Sequence, residues 1–98
     1  MPSYLSLVNW TQKGAENAEE SADRIEAFRQ SVSDSGGRLI FFYMLMGEWD
    51  FASLIEMESD EAAARILIKL NELGNVESTT MRAFTEEESK ALLRSAFS

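Results

Sequence analysis

The fold of this chain is decided by one stretch, residues 39–57, which reads LIFFYMLMGEWDFASLIEM. Two strongly apolar runs flank a short segment that holds a glycine, two carboxylates and a tryptophan. β-Branched and aromatic side chains favour strands, whereas glycine and aspartate favour turns. The stretch therefore predicts a β-hairpin whose strands run from Arg38 to Met46 and from Phe51 to Met57.

The first strand of this hairpin has no polar face. Successive side chains of an unbroken strand point to opposite sides of the sheet. Both resulting sets are apolar: Leu39, Phe41, Tyr43 and Leu45 on one face, and Ile40, Phe42, Met44 and Met46 on the other. One face can pack on the chain's own helices, but a second apolar face needs another cover. We expect a second copy of the chain to supply it, and the C-terminal helix is the alternative.

The sequence before the hairpin predicts a strand, a turn and a helix. Apolar and polar residues alternate from Tyr4 to Trp10, and Thr11–Gly14 is typical of a turn. Ser21 could cap a main helix that begins at Ala22. The helix is marked by apolar residues at spacings of three and four and ends at Gly36-Gly37; these residues are Ala18, Ala22, Ile25, Phe28 and Val32.

The sequence after the hairpin predicts a helix, a strand and a last helix. Ser59 or Asp60 can cap the first of these helices, and Gly74 can end it. A strand follows over residues 75–84, and Thr85 with Glu88 forms a capping box. The apolar stripe of the first helix consists of Ala63, Ile66, Leu67, Leu70 and Leu73.

The order of these elements, βαββαβ, predicts a ferredoxin-like α+β fold. Right-handed crossovers place both main helices on one face of a four-stranded antiparallel sheet. We expect one domain over residues 1–98, with residues 85–98 as a C-terminal helical extension.

Composition excludes several classes of function. The 98 residues carry a net charge of -8, which disfavours nucleic acid and anionic membranes as partners. The chain has no Cys and no His, so thiolate nucleophiles, histidine bases and zinc fingers are ruled out. We expect no cofactor and no metal. The first residues lack the basic segment of a secretory signal, so we expect a cytoplasmic protein.

Three segments together resemble the GYD domain family over nearly the whole chain. They are Asn9-Trp10-Thr11, the loop Gly47-Glu48-Trp49-Asp50, and the run from Leu73-Gly74-Asn75-Val76 through 79–85. Trp49 stands at the position of the tyrosine that gives the family its name, which keeps an aromatic ring and removes the phenol. The resemblance implies a small bacterial or archaeal protein of the dimeric α+β barrel type. It implies no particular activity.

The hairpin loop is the first candidate site. Trp49 could offer a platform to a ligand, and Glu48 or Asp50 could anchor a polar group or act as an acid or base. The structural alternative is that Gly47 supplies a turn conformation, Asp50 accepts backbone hydrogen bonds and Trp49 packs on the sheet or a partner.

Strand residues form the second candidate set: Asn9, Trp10, Tyr43 and Arg82. Barrels that resemble this one include small cofactor-free oxygenases, in which asparagine, tryptophan and arginine hold an aromatic substrate. The alternative is that these polar groups are satisfied by the backbone or by Asp50. The leading hypothesis is thus a small homodimeric domain that binds a ligand between sheet and loop. A cofactor-independent oxygenase or isomerase and a purely structural oligomerisation module are the other hypotheses.

Overall fold

The computed structural model describes all residues from Met1 to Ser98. Its strands are β1 (Ser3–Trp10), β2 (Arg38–Met44), β3 (Phe51–Glu56) and β4 (Val76–Ala83). Its helices are α1 (Gln12–Glu16), α2 (Ser21–Asp34), α3 (Asp60–Glu72) and α4 (Glu86–Ala96), with a 3₁₀ turn at Ala18–Glu20. The strands form one antiparallel sheet in the order β2-β3-β1-β4. The predicted α+β, ferredoxin-like fold is confirmed.

The core lies between the sheet and helices α2 and α3. Its buried side chains come from the strands, from both helices and from the segment after β3: Tyr4, Val32, Leu39, Ile55, Met57, Ala63 and Ile66. Phe28 of α2 and Phe42 of β2 pack against this cluster. The predicted apolar stripes of both helices therefore reach the core through Val32, Ala63 and Ile66, whereas Ala22 and Leu73 are exposed.

A β-bulge in β2 corrects the predicted alternation of that strand. Leu39 lies opposite Ile55 and Phe41 lies opposite Leu54, so Ile40 is an extra residue without a partner on β3. A bulge inserts one residue and reverses the alternation beyond it. Leu39 consequently shares the helix-covered face with Phe42, and the prediction that it sits with Phe41 is wrong.

Helix capping follows the sequence at two of the four helix starts. The side chains of Ser59 and Thr85 accept hydrogen bonds from the N–H groups of Ala62 and Glu88, and Glu88 completes the predicted capping box. Thr11 also caps a helix, because α1 occupies the segment predicted as a turn. Ser21 caps nothing: α2 begins after the 3₁₀ turn without a side-chain cap.

The sheet face away from α2 and α3 carries apolar side chains, some of which are exposed. Two rows of side chains cross it from strand to strand: Phe41, Leu54, Leu5 and Met81 in the first, and Tyr43, Ala52, Leu7 and Thr79 in the second. We call this surface the open face. Tyr43 is 61% exposed and Met81 is 40% exposed. The open face is therefore an apolar surface of the kind that usually receives a partner.

Helix α4 does not cover the open face within the chain. Its apolar side chains Leu92 and Leu93, and Phe97 at its end, are all exposed. The radius of gyration is 14.8 Å, whereas a compact domain of this length has one of about 13 Å. Helix α4 thus extends from the body of the protein. None of the helices combines the length and the apolar composition that spanning a membrane requires.

Candidate functional site

The loop between β2 and β3 is fastened to the end of β1 by Asp50. The Asp50 carboxylate accepts a hydrogen bond from the backbone N–H of Trp10 at 2.9 Å. The backbone N–H of Asp50 donates to the Asn9 side-chain oxygen at 2.8 Å and to the Val8 carbonyl at 3.0 Å. The Asp50 carbonyl accepts from Leu45 at 2.7 Å, which closes the base of the loop. Asn9 and Asp50 therefore meet, and the Asn9 side-chain oxygen and one carboxylate oxygen of Asp50 hold the loop.

The tip of the same loop is free. Met46 and Glu48 are exposed, and Gly47 has a φ of +131° with no atom near the position of a Cβ. Glycine is the residue that reaches this φ without strain. Trp49 is half-buried beside Asp50. The loop thus has a fixed base and an exposed tip, and a ligand role for Glu48 or Trp49 stays a prediction.

Trp10 points into the helix-covered side of the sheet. Its indole N–H donates to the Ser21 hydroxyl at 3.1 Å, and its ring meets the edge of Phe51 with the centroids 5.0 Å apart. Buried tryptophan normally finds such a polar partner for its N–H group. Trp10 therefore joins the end of β1 to the start of α2 and forms part of the wall between sheet and helices.

The two remaining candidate residues lie elsewhere. Tyr43 is on the open face, stacked on Phe41 with the ring centroids 4.8 Å apart. Arg82 is opposite Tyr4 on β4, over the Phe84 ring at 4.4 Å, and donates to the carbonyl groups of Ser3 and Ala83. At roughly 3.3 Å per strand residue, Arg82 is about 20 Å from the Trp10 end of β1. The candidate residues are therefore spread over both ends and both faces of the sheet.

Comparison with known proteins identifies the family. The family model of the GYD domain, compared with the amino-acid sequence, matches residues 4–93. The chain belongs to the GYD domain family. Within this GYD domain, Gly47-Glu48-Trp49-Asp50 belongs to the loop whose base Asp50 fastens to β1.

A curated relative and two solved structures resemble this GYD domain. The relative is the glutamine synthetase and cystathionine beta-lyase binding protein of Thermus thermophilus, 31% identical over 84 residues, covering 85% of this chain and 88% of the relative. The crystal structure of FFRP-DM1 superposes with a TM-score of 0.62 at 14% identity, covering 86% of this chain and 100% of that one. The hypothetical protein PHS023 of Pyrococcus horikoshii gives a TM-score of 0.61 at 17% identity, covering 88% and 93%. At such identities the two structures establish the fold alone.

A second polar site, at the far end of the sheet, was not foreseen from the sequence. The Tyr4 hydroxyl donates to the Asp60 carboxylate at 2.5 Å, and Tyr4 is 5% exposed. Burial raises the pKa of Tyr4 to about 12, with further contributions from the hydrogen bond to Asp60 and from its negative charge. The alternation of β1 places Tyr4 on one face, but only the tertiary fold brings it to the first residue of α3.

Proposed function

We propose that this GYD domain is a homodimeric binding protein that pairs through its open face and recognises other proteins. The observation that carries the proposal is the open face itself, whose two mainly apolar rows run across all four strands and include the exposed side chains of Tyr43 and Met81. The name of the Thermus thermophilus relative, which describes a protein that binds two enzymes, supports the second half of the proposal.

The arrangement of polar groups favours binding over catalysis. Asn9 and Asp50 hold the loop, Trp10 is part of the wall between sheet and helices, and Arg82 lies at the other end of the sheet. Acid–base chemistry needs its groups within hydrogen-bond reach of one substrate. The dispersed arrangement supports a domain that works through its surfaces, and a cytoplasmic location remains the expectation from the sequence.

The oligomeric state tests the first half of the proposal. We expect light scattering at micromolar concentration to give twice the chain mass. Tyr43 and Met81 are exposed in the single chain, so replacing both by glutamate adds charge to the open face without disturbing the core. The Tyr43→Glu/Met81→Glu variant should be monomeric. It should still be folded, as a cooperative thermal unfolding transition would show.

The matched control is Ile68→Glu. Ile68 lies on α3 and is 66% exposed, so this change adds a negative charge at an apolar surface position on the helix side. It should leave the dimer intact. A wild-type protein that remains monomeric at high concentration would refute pairing through the open face.

Protein binding is tested with purified glutamine synthetase and cystathionine beta-lyase as the first two baits. Biolayer interferometry should detect saturable binding of the wild-type dimer to at least one of them, with a Kd of about 1 μM or lower. The Ile68→Glu protein serves as a dimeric control. Absence of binding to both enzymes would argue against these enzymes as partners and would leave the dimer result standing.

A further inference from the structure

The two edge strands of the sheet, β2 and β4, differ in polarity. Strand β4 carries Glu77 and Arg82 with three hydroxyl residues between them. Strand β2 and the segment after it hold eight consecutive apolar residues, 39–46, with no charge and no proline. Proteins usually protect an exposed edge with charged side chains or proline, because its unpaired backbone groups bind other strands. The edge at β2 lacks both forms of protection over this segment.

The outward backbone groups of β2 follow from the hydrogen bonds of the hairpin. The N–H of Leu45 donates to the carbonyl of Asp50 at 2.7 Å, so these two residues form a bonded pair. Bonded and non-bonded pairs alternate along an antiparallel ladder. Tyr43 is therefore bonded to β3, whereas Phe42 and Met44 direct their N–H and carbonyl groups away from β3. No other strand lies on that side of β2.

Apolar side chains flank these outward groups. Met44 is 70% exposed, Met46 is fully exposed and Ile40 is also exposed. The flexible methionine side chain adapts to apolar partners of different shape. When a strand is added to a sheet edge, main-chain hydrogen bonds give affinity and side-chain contacts give specificity. The edge at β2 offers both kinds of contact.

We propose that the edge of β2 binds an extended apolar segment of a partner protein by strand addition. The segment pairs with the outward N–H and carbonyl groups of Phe42 and Met44, and its side chains contact Ile40 and the two methionines. The net charge of -8 favours a segment with lysine or arginine beside its apolar residues.

The length of the edge selects a segment of another protein over β2 of a second copy. The bulge at Ile40 limits the regular part of the edge to Phe41–Met44. Two copies joined by so few residues would bury much less than the roughly 1,200 Å² of a stable protein–protein interface. A short extended segment needs only such an edge. It pairs in the plane of the sheet and leaves the open face available to the homodimer.

The inference rests on the proposed recognition of other proteins and names the part of a partner that is recognised. The two can fail separately. Capture of glutamine synthetase or cystathionine beta-lyase without peptide binding at β2 would leave the proposed function standing and refute strand addition. Peptide binding at β2 without capture of either enzyme would support strand addition and point to a different partner.

The test titrates the full chain with the acetylated and amidated peptide KGVTVTVGK and follows backbone amides by NMR. We expect saturable shifts at Ile40, Phe42 and Met44, with a Kd of about 1 mM or lower. Hydrogen exchange at the N–H groups of Phe42 and Met44 should slow by at least about fivefold at high peptide concentration. The N–H of Tyr43, already bonded to β3, is the internal reference and should change little.

A matched peptide separates strand addition from simple apolar contact. It has the same sequence with an N-methyl group on every valine and threonine, so it keeps the side chains and loses the N–H donors. It should bind at least about tenfold more weakly, because the main-chain hydrogen bonds to β2 are lost.

The decisive variant is Met44→Lys, which places a charge on the edge in the way that proteins protect edge strands. Met44 is largely exposed, so the core is not disturbed. Peptide binding should weaken by at least about tenfold. Ile68→Lys is the matched control, because it adds the same charge at an exposed apolar position on α3, and it should bind as the wild type does. Thermal melting verifies that both variants are folded.

Three results would overturn the inference. The first is the absence of a saturable shift up to about 5 mM peptide. The second is equal binding of the two peptides, or of one peptide by wild type and Met44→Lys. The third is protection of the Phe42 and Met44 amides in the protein alone that increases with its concentration, since a second copy would then occupy the edge.

Discussion

At the scale of single residues, Asp50 carries more of the structure than any other member of its loop. Its carboxylate, its N–H and its carbonyl all take part in hydrogen bonds, which reach β1 and the end of β2. The carboxylate accepts from the N–H of Trp10, a half-buried residue at the end of the strand. Loss of that carboxylate would therefore leave a half-buried donor without its partner.

The variant Asp50→Ala should lower the free energy of unfolding by about 1 kcal/mol, the usual contribution of such a hydrogen bond. Urea denaturation followed by circular dichroism provides the measurement. Glu48→Ala is the control, because Glu48 is exposed in the same loop, and it should change the unfolding free energy very little. Equal stability of both variants would show that the bond to Trp10 contributes nothing.

Tyr4 makes the free energy of unfolding depend on pH in the alkaline range. Its pKa in the folded state is raised to about 12, whereas the unfolded phenol ionises near 10. The folded state therefore keeps the proton over a range where the unfolded chain releases it. The Tyr4 phenol contributes about 2–3 kcal/mol to the free energy of unfolding. This contribution is fully present below pH 10 and is lost as the pH rises from 10 to 12.

This pH effect is measured as a difference between variants. Unfolding free energies of wild type and Tyr4→Phe, determined from about pH 8 to about pH 12, should converge as the pH rises above 10, because only the wild type loses the contribution of the phenol. Curves for the wild type and Tyr4→Phe that run parallel over this pH range would contradict the shifted pKa of Tyr4.

At the scale of the elements, α4 is the one without a packing partner. Its capping box and the acidic residues of its first turn stabilise the helix locally. The stripe that consists of Leu92, Leu93 and Phe97 is apolar and exposed. A helix stripe of this kind gains its stability from burial against another surface, and the homodimer would supply that surface.

The double variant Leu92→Ser/Phe97→Ser should weaken dimerisation and leave the folding of the single chain unchanged. Both side chains are largely exposed, so their removal creates no cavity in the core. Sedimentation equilibrium measures the association constant, and we expect it to fall by at least about tenfold, because two apolar side chains no longer become buried. An unchanged association constant would place α4 outside the interface.

The elements also show which structural features could be predicted from the sequence. Ser59, Thr85 and Glu88 could be recognised because a cap depends on residues within one helical turn. The bulge at Ile40 could not, because the residues around it are good strand formers and only the pairing with β3 reveals the extra residue. The meeting of Asn9 with Asp50 was likewise foreseeable only as one alternative, because it depends on tertiary contacts.

At the scale of the whole molecule, charge sets the choice of partners. The net charge is -8, and several of the basic side chains are paired with acids, as Arg24 is with Glu20 and Arg38 is with Glu56. Binding to nucleic acid depends on neutralising phosphates with clustered lysine and arginine. The protein should therefore repel a phosphate backbone.

We expect no binding of DNA or RNA in a mobility-shift experiment at about 0.15 M salt, because repulsion by the net negative charge is unopposed. Lowering the salt should not rescue binding, in contrast to the behaviour of a basic protein. A retarded band at that salt with submicromolar protein would contradict the prediction. It would require a basic surface formed by assembly of several copies.

The division of the β2–β3 loop into a fixed base and a free tip has a consequence for how such a sequence can change. Asp50 holds the base, so exchanges at the exposed positions 46 and 48 need not be transmitted to the strands. Natural drift or a laboratory library could then sample many side chains, or graft a short peptide, at the tip without loss of the fold. New recognition specificities could arise there with little effect on stability.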